Sequence, residues 1–100
     1  MKQVTSSTFK RWLSSIKDTK TRARIVGRIN RLIDGLPGDV KPVGRGLSEL
    51  RLHFGAGYRV YYYQDQNVLI LLLNGGDKST QEKDIAKAYI LFEQWRNQHD

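Results

Sequence analysis

Apolar positions recur with two different periods along the chain, and the change of period separates a helical front from a strand-rich centre. Phe9, Trp12, Leu13 and Ile16 follow Ser7 at the spacing of one helical face, with Ser7 placed as the N-cap. Asp18 or Thr19 can cap a second helix, in which Val26, Ile29, Leu32, Ile33 and Leu36 form the apolar stripe. Arg22, Arg24, Arg28 and Arg31 project mostly elsewhere, and Gly35, Pro37 and Gly38 stop the helix. The break from Lys17 to Lys20 is brief, so an antiparallel helical hairpin is expected, its stripes facing a common surface that has to be a sheet.

From Leu47 the period becomes two. Leu50, Leu52 and Phe54 share one face of a half-buried strand, and Glu49, Arg51 and His53 share the other. After the turn Gly55, Ala56, Gly57, a second strand runs from Tyr58 to about Gln64, with Tyr58, Val60 and Tyr62 alternating against Arg59, Tyr61 and Tyr63. Asp65 to Asn67 turn the chain again, and Val68 to Leu73 is continuously apolar, as suits a central strand covered on both faces. Asn74 to Asp77 then read as a loop. Ser79 and Glu82 fit a capping box ahead of a last helix marked by Ile85, Ala88, Tyr89, Phe92 and Trp95. With Gln3 to Thr5 as a short edge strand, the order is β, α, α, β, β, β, α. The expectation is therefore an α+β fold, an N-terminal helical hairpin on a twisted antiparallel sheet of three to four strands with a C-terminal helix, forming a single domain over residues 1–100.

Composition narrows the classes of function. The chain has 39% hydrophobic and 27% charged residues, enough apolar material for a core and against disorder. Cysteine is absent, which excludes disulfides and thiolate metal sites, and no apolar segment approaches a bilayer span, so a cytoplasmic protein without membrane contact is expected. The net charge of +7 points to a polyanionic partner. Residues 1–46 hold 11 basic and 3 acidic side chains, and residues 47–100 hold 6 and 7, so the electropositive field comes from the front half. The same arginines would also serve as an ordinary solvated helix face.

Three stretches carry a resemblance. DVKPVGRGLSELRLHFGAG (Asp39 to Gly57), the following Tyr58, Arg59, Val60, Tyr61, and LLLNGGDKSTQEKDI (Leu71 to Ile85) together resemble the phage Gp49-like, HigB-type "addiction module killer protein" branch of the RelE/ParE toxins. The resemblance implies the toxin of a type II toxin–antitoxin system, neutralised by an antitoxin with a helix-turn-helix domain of the HigA kind, which would bring operator DNA only indirectly. It implies as targets messenger RNA and the ribosome, cut without a metal or other cofactor by attack of a ribose 2′-OH on the adjacent phosphorus. Such chemistry needs fixed cations around the nonbridging oxygens, a proton acceptor and a proton donor.

The outward rows supply candidates. Arg59 falls where the resemblance places a phosphate-stabilising arginine, and Arg51 and Lys78 match other basic positions. His53 carries the side chain type suited to proton transfer near neutrality, with Glu49 as the alternative base. Arg28, Arg31, Lys41, Arg45, Tyr61 and Tyr63 are the candidate RNA-binding residues, the tyrosines by stacking on bases. No residues are assigned to a metal. Gly75 and Gly76 fit a plain turn better than a phosphate nest. The start of the last helix, Thr80 to Asp84, lacks the additional tyrosine or histidine of several related ribonucleases, leaving the general acid unassigned. The competing expectation is a ParE-like inhibitor of DNA gyrase that acts by contact, with no chemistry of its own.

Overall fold

Phe9 on the first helix and Ile25, Ile29 and Leu32 on the second meet Leu50, Leu52, Val60, Tyr62, Ile70 and Leu72 in one core. This core fills one face of the sheet in the computed structural model, which describes residues 1–99. The elements are β1 (Lys2–Thr5), α1 (Ser7–Ser15), α2 (Thr19–Ile33), β2 (Val40–Gly44), β3 (Leu47–Arg51), β4 (Arg59–Asp65), β5 (Leu69–Gly76), a 3-10 turn (Lys78–Thr80) and α3 (Gln81–His99). Ser6, not Ser7, caps α1, its hydroxyl accepting from the Phe9 N–H. Asp18 caps α2 as expected. In α2 the buried stripe starts at Ile25, while Val26 and Leu36 are exposed, because Ile25, Ile29 and Leu32 keep the i, i+4, i+7 spacing. The expected hairpin is loose: α1 lies along β5, and α2 reaches the same core through side chains.

The sheet has five strands in the order β1-β5-β4-β3-β2 and is mixed rather than wholly antiparallel, since β1 runs parallel to β5. The additional strand is β2. Pro42 and Gly44 argue against a strand in sequence, yet β2 is an edge strand, where a missing N–H does no harm, and a bulge between Pro42 and Gly44 absorbs the irregularity. Ile70 to Leu73 are buried as expected of a central strand, and β5 continues through Gly75 and Gly76, which are strand residues and not a loop. A side chain at Gly75 would overlap the Trp12 ring from α1, and one at Gly76 would overlap the Asp84 carboxylate from α3.

The second face of the sheet is covered as well. Leu47, Tyr61, Leu71 and Leu73 pack with Ala88 and Phe92 of α3, and Val4, Tyr63, Ile85 and Trp95 border that core. Each fully buried Leu or Phe contributes roughly 1.5–3 kcal/mol, so an amphipathic helix with such a stripe cannot stay off the sheet. A bulge on β5 lets Leu73 and Asn74 both face α3, because Tyr61 pairs with Asn74 whereas Tyr62 pairs with Leu72. The helix enters through a capping box made by Asp77 and Thr80, two residues ahead of the Ser79 and Glu82 positions expected for it.

Candidate functional site

Two rungs of the α3-facing surface carry the polar residues. Lys41, Glu49, Tyr61 and Asn74 are successive partners across β2, β3, β4 and β5; Arg51, Arg59 and Gly76 form the next rung. Like charges directly opposite each other repel, and here each arginine has its own carboxylate. Arg59 Nε lies 3.7 Å from Glu49 Oε1, and Arg51 Nε lies 3.6 Å from Asp39 Oδ2.

The two pairs differ in burial. Glu49 and Tyr61 are inaccessible to solvent and Arg59 is 4% exposed, because the first turn of α3 lies over them. Gln81 donates to Glu49 at 2.8 Å, and the Asn74 amide donates to the Asp84 carbonyl at 3.0 Å. Arg59 also donates to the carbonyls of Gly57 and Tyr58 at 3.1 and 3.3 Å. Burial pushes the Tyr61 hydroxyl well above its ordinary pKa, with the Glu49 charge adding to it. The outward row expected from Glu49 through Arg59, Tyr61 and Tyr63 is thus largely an inward one. Tyr63 packs 4.5 Å from the Phe92 ring.

At the end of the same row the side chains reach water. His53 stands beyond the last residue of β3, with a side chain 55% exposed, and its Nε2 is hydrogen-bonded to the Asp39 carboxylate. That bond holds the Asp39 carboxyl below its usual pKa against the opposing effect of desolvation, with Arg51 assisting. Asp39 is brought there by β2, whose first residue pairs with Leu50, and by the Arg51 N–H, which donates to the Asp39 carbonyl at 2.9 Å. Lys78 arrives from the opposite side. Its aliphatic stem crosses Gly57, which has φ +75°, so that a side chain at Gly57 would stand about 3 Å from Lys78 Cδ. His53, Phe54, Gly57 and Lys78 help line a depression of about 280 Å³.

His53 also borders a second hollow, of about 470 Å³, whose other walls include Arg24, Arg28, Arg31 and Phe54. The Arg24 guanidinium lies 3.8 Å above the Phe54 ring, and Arg28 donates to the Pro37 carbonyl at 3.1 Å. Of the expected site residues, the fold therefore brings His53, Arg51, Lys78, Arg28 and Arg31 to one open end. Lys41 is exposed on edge strand β2, and Arg45 lies at the far end of the sheet, over the Tyr89 ring. Asp39, Arg24 and Phe54 join the site unexpectedly. Asp39 was legible only to a reader who accepted β2, since its pairing follows from that strand's register. Among the described residues no group of three or more His, Asp or Glu side chains is placed to hold a metal ion, and no helix is long and apolar enough to cross a membrane.

This is an α+β domain with an open polar cluster around His53, where β3, the β3–β4 turn and the entry to α3 meet. The chain belongs to the "Phage derived protein Gp49-like (DUF891)" family, whose model matches residues 11–93. A Haemophilus influenzae relative bearing the name "Uncharacterized protein" is 49% identical over 90 residues, 90% of this chain and 91% of that one.

Proposed function

We propose that the chain is a type II toxin that cuts messenger RNA at the His53 end of the sheet. One observation carries the reading: a histidine hydrogen-bonded to a carboxylate stands where an arginine-walled hollow meets a depression containing a lysine. The hollow suits the phosphates of a strand, and the depression suits the reacting unit. With Nε2–H donated to Asp39, the His53 Nδ1 is the basic atom, and it takes the proton of the ribose 2′-OH. The 2′ oxygen bonds to the adjacent phosphorus as the bond from phosphorus to the 5′ oxygen breaks. Lys78 gives the leaving oxygen a proton, so the products are a 2′,3′-cyclic phosphate and a 5′-OH. Arg51 and the α2 arginines stabilise the charge that builds on the nonbridging oxygens.

In this scheme Arg59 and Glu49 are positioning residues. Arg59 ties down the carbonyls of Gly57 and Tyr58 and so shapes the floor beneath the substrate, while Glu49 neutralises it. Action in the cytoplasm on ribosome-bound messages, and neutralisation by a helix-turn-helix antitoxin through which operator DNA is reached, belong to the same reading. The +7 net charge and the sequence words shared with addiction-module toxins support it. A second reading, contact inhibition of DNA gyrase, is favoured by the sealing of Glu49, Arg59 and Tyr61 under α3, which leaves fewer exposed groups for chemistry.

Sequencing the 5′ ends of cellular RNA shortly after induction separates the two. New ends within messages, lost in His53→Ala, are expected. Growth arrest with intact messages and accumulated gyrase-linked DNA breaks would replace the first reading with the second. The antitoxin assignment fails if the product of the neighbouring gene does not bind at micromolar concentration.

A further inference from the structure

The end of the sheet farthest from His53 holds another cluster that the proposed chemistry does not use. Strand β4 spans Arg59 to Asp65, a separation of about 20 Å along the strand. At its far end Tyr63, Asp65, Trp95, Arg96, His99 and Arg45 line a hollow of about 510 Å³. That volume lies within the range of small-ligand sites.

Its floor is aromatic. Trp95 and His99 stack at 4.5 Å with 19° between their planes, and the Tyr63 ring lies 6.3 Å from Trp95. Its walls carry two arginines and one carboxylate, Asp65, and Arg96 pairs with Glu93 at 3.5 Å. Arg45 reaches over the Tyr89 ring at 4.4 Å, and the Tyr89 hydroxyl is itself fixed by donating to the Val43 carbonyl. Arg96 lies over Phe92 at 5.7 Å. Among the described residues no carboxylate pairs with Arg45.

Arg45 occupies a turn in which three successive residues have positive φ, +95° at Gly44, +57° at Arg45 and +80° at Gly46. The flanking positions are glycines. An arginine in that conformation costs free energy that a third glycine would avoid, which directs attention to the side chain's function. A guanidinium with no ion-pair partner among the described residues, 4.4 Å from an aromatic ring centroid and beside a stacked Trp–His platform, matches a planar ring carrying a phosphate.

We infer that this hollow is a second nucleotide site, which takes one unstacked base of single-stranded RNA against the Trp95–His99 stack and its phosphate on Arg45 and Arg96. Asp65 on the rim can accept from an exocyclic amine of the base. An acidic peptide would satisfy the arginines but would leave the stacking platform unused. The inference rests on the reading that the chain acts on RNA, and it adds an anchoring point remote from the scissile phosphate.

Binding of a labelled single-stranded RNA hexanucleotide to His53→Ala protein, measured by anisotropy, tests it apart from cleavage. Adding Arg45→Gly removes the guanidinium at a backbone position glycine prefers, so the variant is expected to melt no lower than its parent. Affinity is expected to fall about tenfold, and Trp95→Leu to lower it by a similar factor, as loss of one stacked base does. Unchanged affinity in Arg45→Gly would overturn the inference while leaving the cleavage reading intact. Tighter binding of a glutamate decapeptide than of the RNA, lost in Arg45→Gly, would overturn it in favour of a protein ligand. Arg45-dependent RNA binding by a wild-type protein that never cuts RNA would keep the site and remove only the proposed chemistry.

Discussion

Glu49 and Arg59 share a face of β3 and β4 with Arg51, Glu49 one rung away and Arg59 directly opposite it, yet they are sealed beneath α3 whereas Arg51 and neighbouring His53 reach solvent. Both regions hold an arginine beside a carboxylate. The inner pair lies in a low-dielectric site where removing one member strands the other charge, and the outer pair is partly exposed and more strongly screened. Residue type and strand alternation are thus shared, and the covering helix alone decides which side chains stabilise the fold and which can meet a substrate.

The largest effect is expected at the inner pair. Arg59→Ala is expected to lose about 3–5 kcal/mol in urea unfolding because Glu49 is left buried and unpaired. Replacing both with Met and Leu is expected to recover most of it. A loss below about 1 kcal/mol, the size found for exposed pairs, would mean that α3 does not seal this rung. Gly75→Ala comes next, at about 1–3 kcal/mol by the same method, because the new methyl meets the Trp12 ring. An unchanged midpoint would show that α1 does not press on β5 there.

The outer region responds to salt more than to denaturant. Arg28→Gln with Arg31→Gln is expected to leave stability nearly unchanged and to flatten the slope of log affinity for single-stranded RNA against log salt by about 1.4, two phosphate contacts' worth. An unaltered slope would move the RNA path off α2. The smallest effect is a pH effect. The Asp39 carboxyl is held below its ordinary value of 3.8 in the folded protein, so its contribution is complete above that value and fades as the pH falls through the lowered one. Melting temperatures of wild type and Asp39→Asn are therefore expected to differ slightly at neutral pH and to converge in acid; a difference that grows on acidification would contradict the pairing.

Much of this architecture could be read from periodicity. The 3.6-residue stripes of α1, α2 and α3 and the alternation in β3 and β4 are plain, and each element occurs. Strand β2 was hidden because Pro42 and Gly44 look like strand breakers, a rule that holds for central strands and relaxes at edges. The parallel pairing of β1 depends on contacts across the whole chain and leaves no local mark. Most instructive is the second face. Residues 69–73 required cover on both sides, and the stripe of Ile85, Ala88, Phe92 and Trp95 was the available cover, so an open row through Tyr61 was inconsistent with features visible in the sequence. His53 and Lys78 could be identified as chemical groups from sequence. Asp39 and Arg24 could not, because their roles come from register and from the approach of α2 to the β3–β4 turn.

If the exposed end carries the chemistry, the cleavage rate of ribosome-bound message by purified His53→Ala against wild type is the most direct test. The expected result is a protein with an unchanged melting temperature whose cleavage is slower by about 10²–10⁴-fold, the usual contribution of a positioned proton acceptor. Cleavage at the wild-type rate by a folded His53→Ala protein would contradict it.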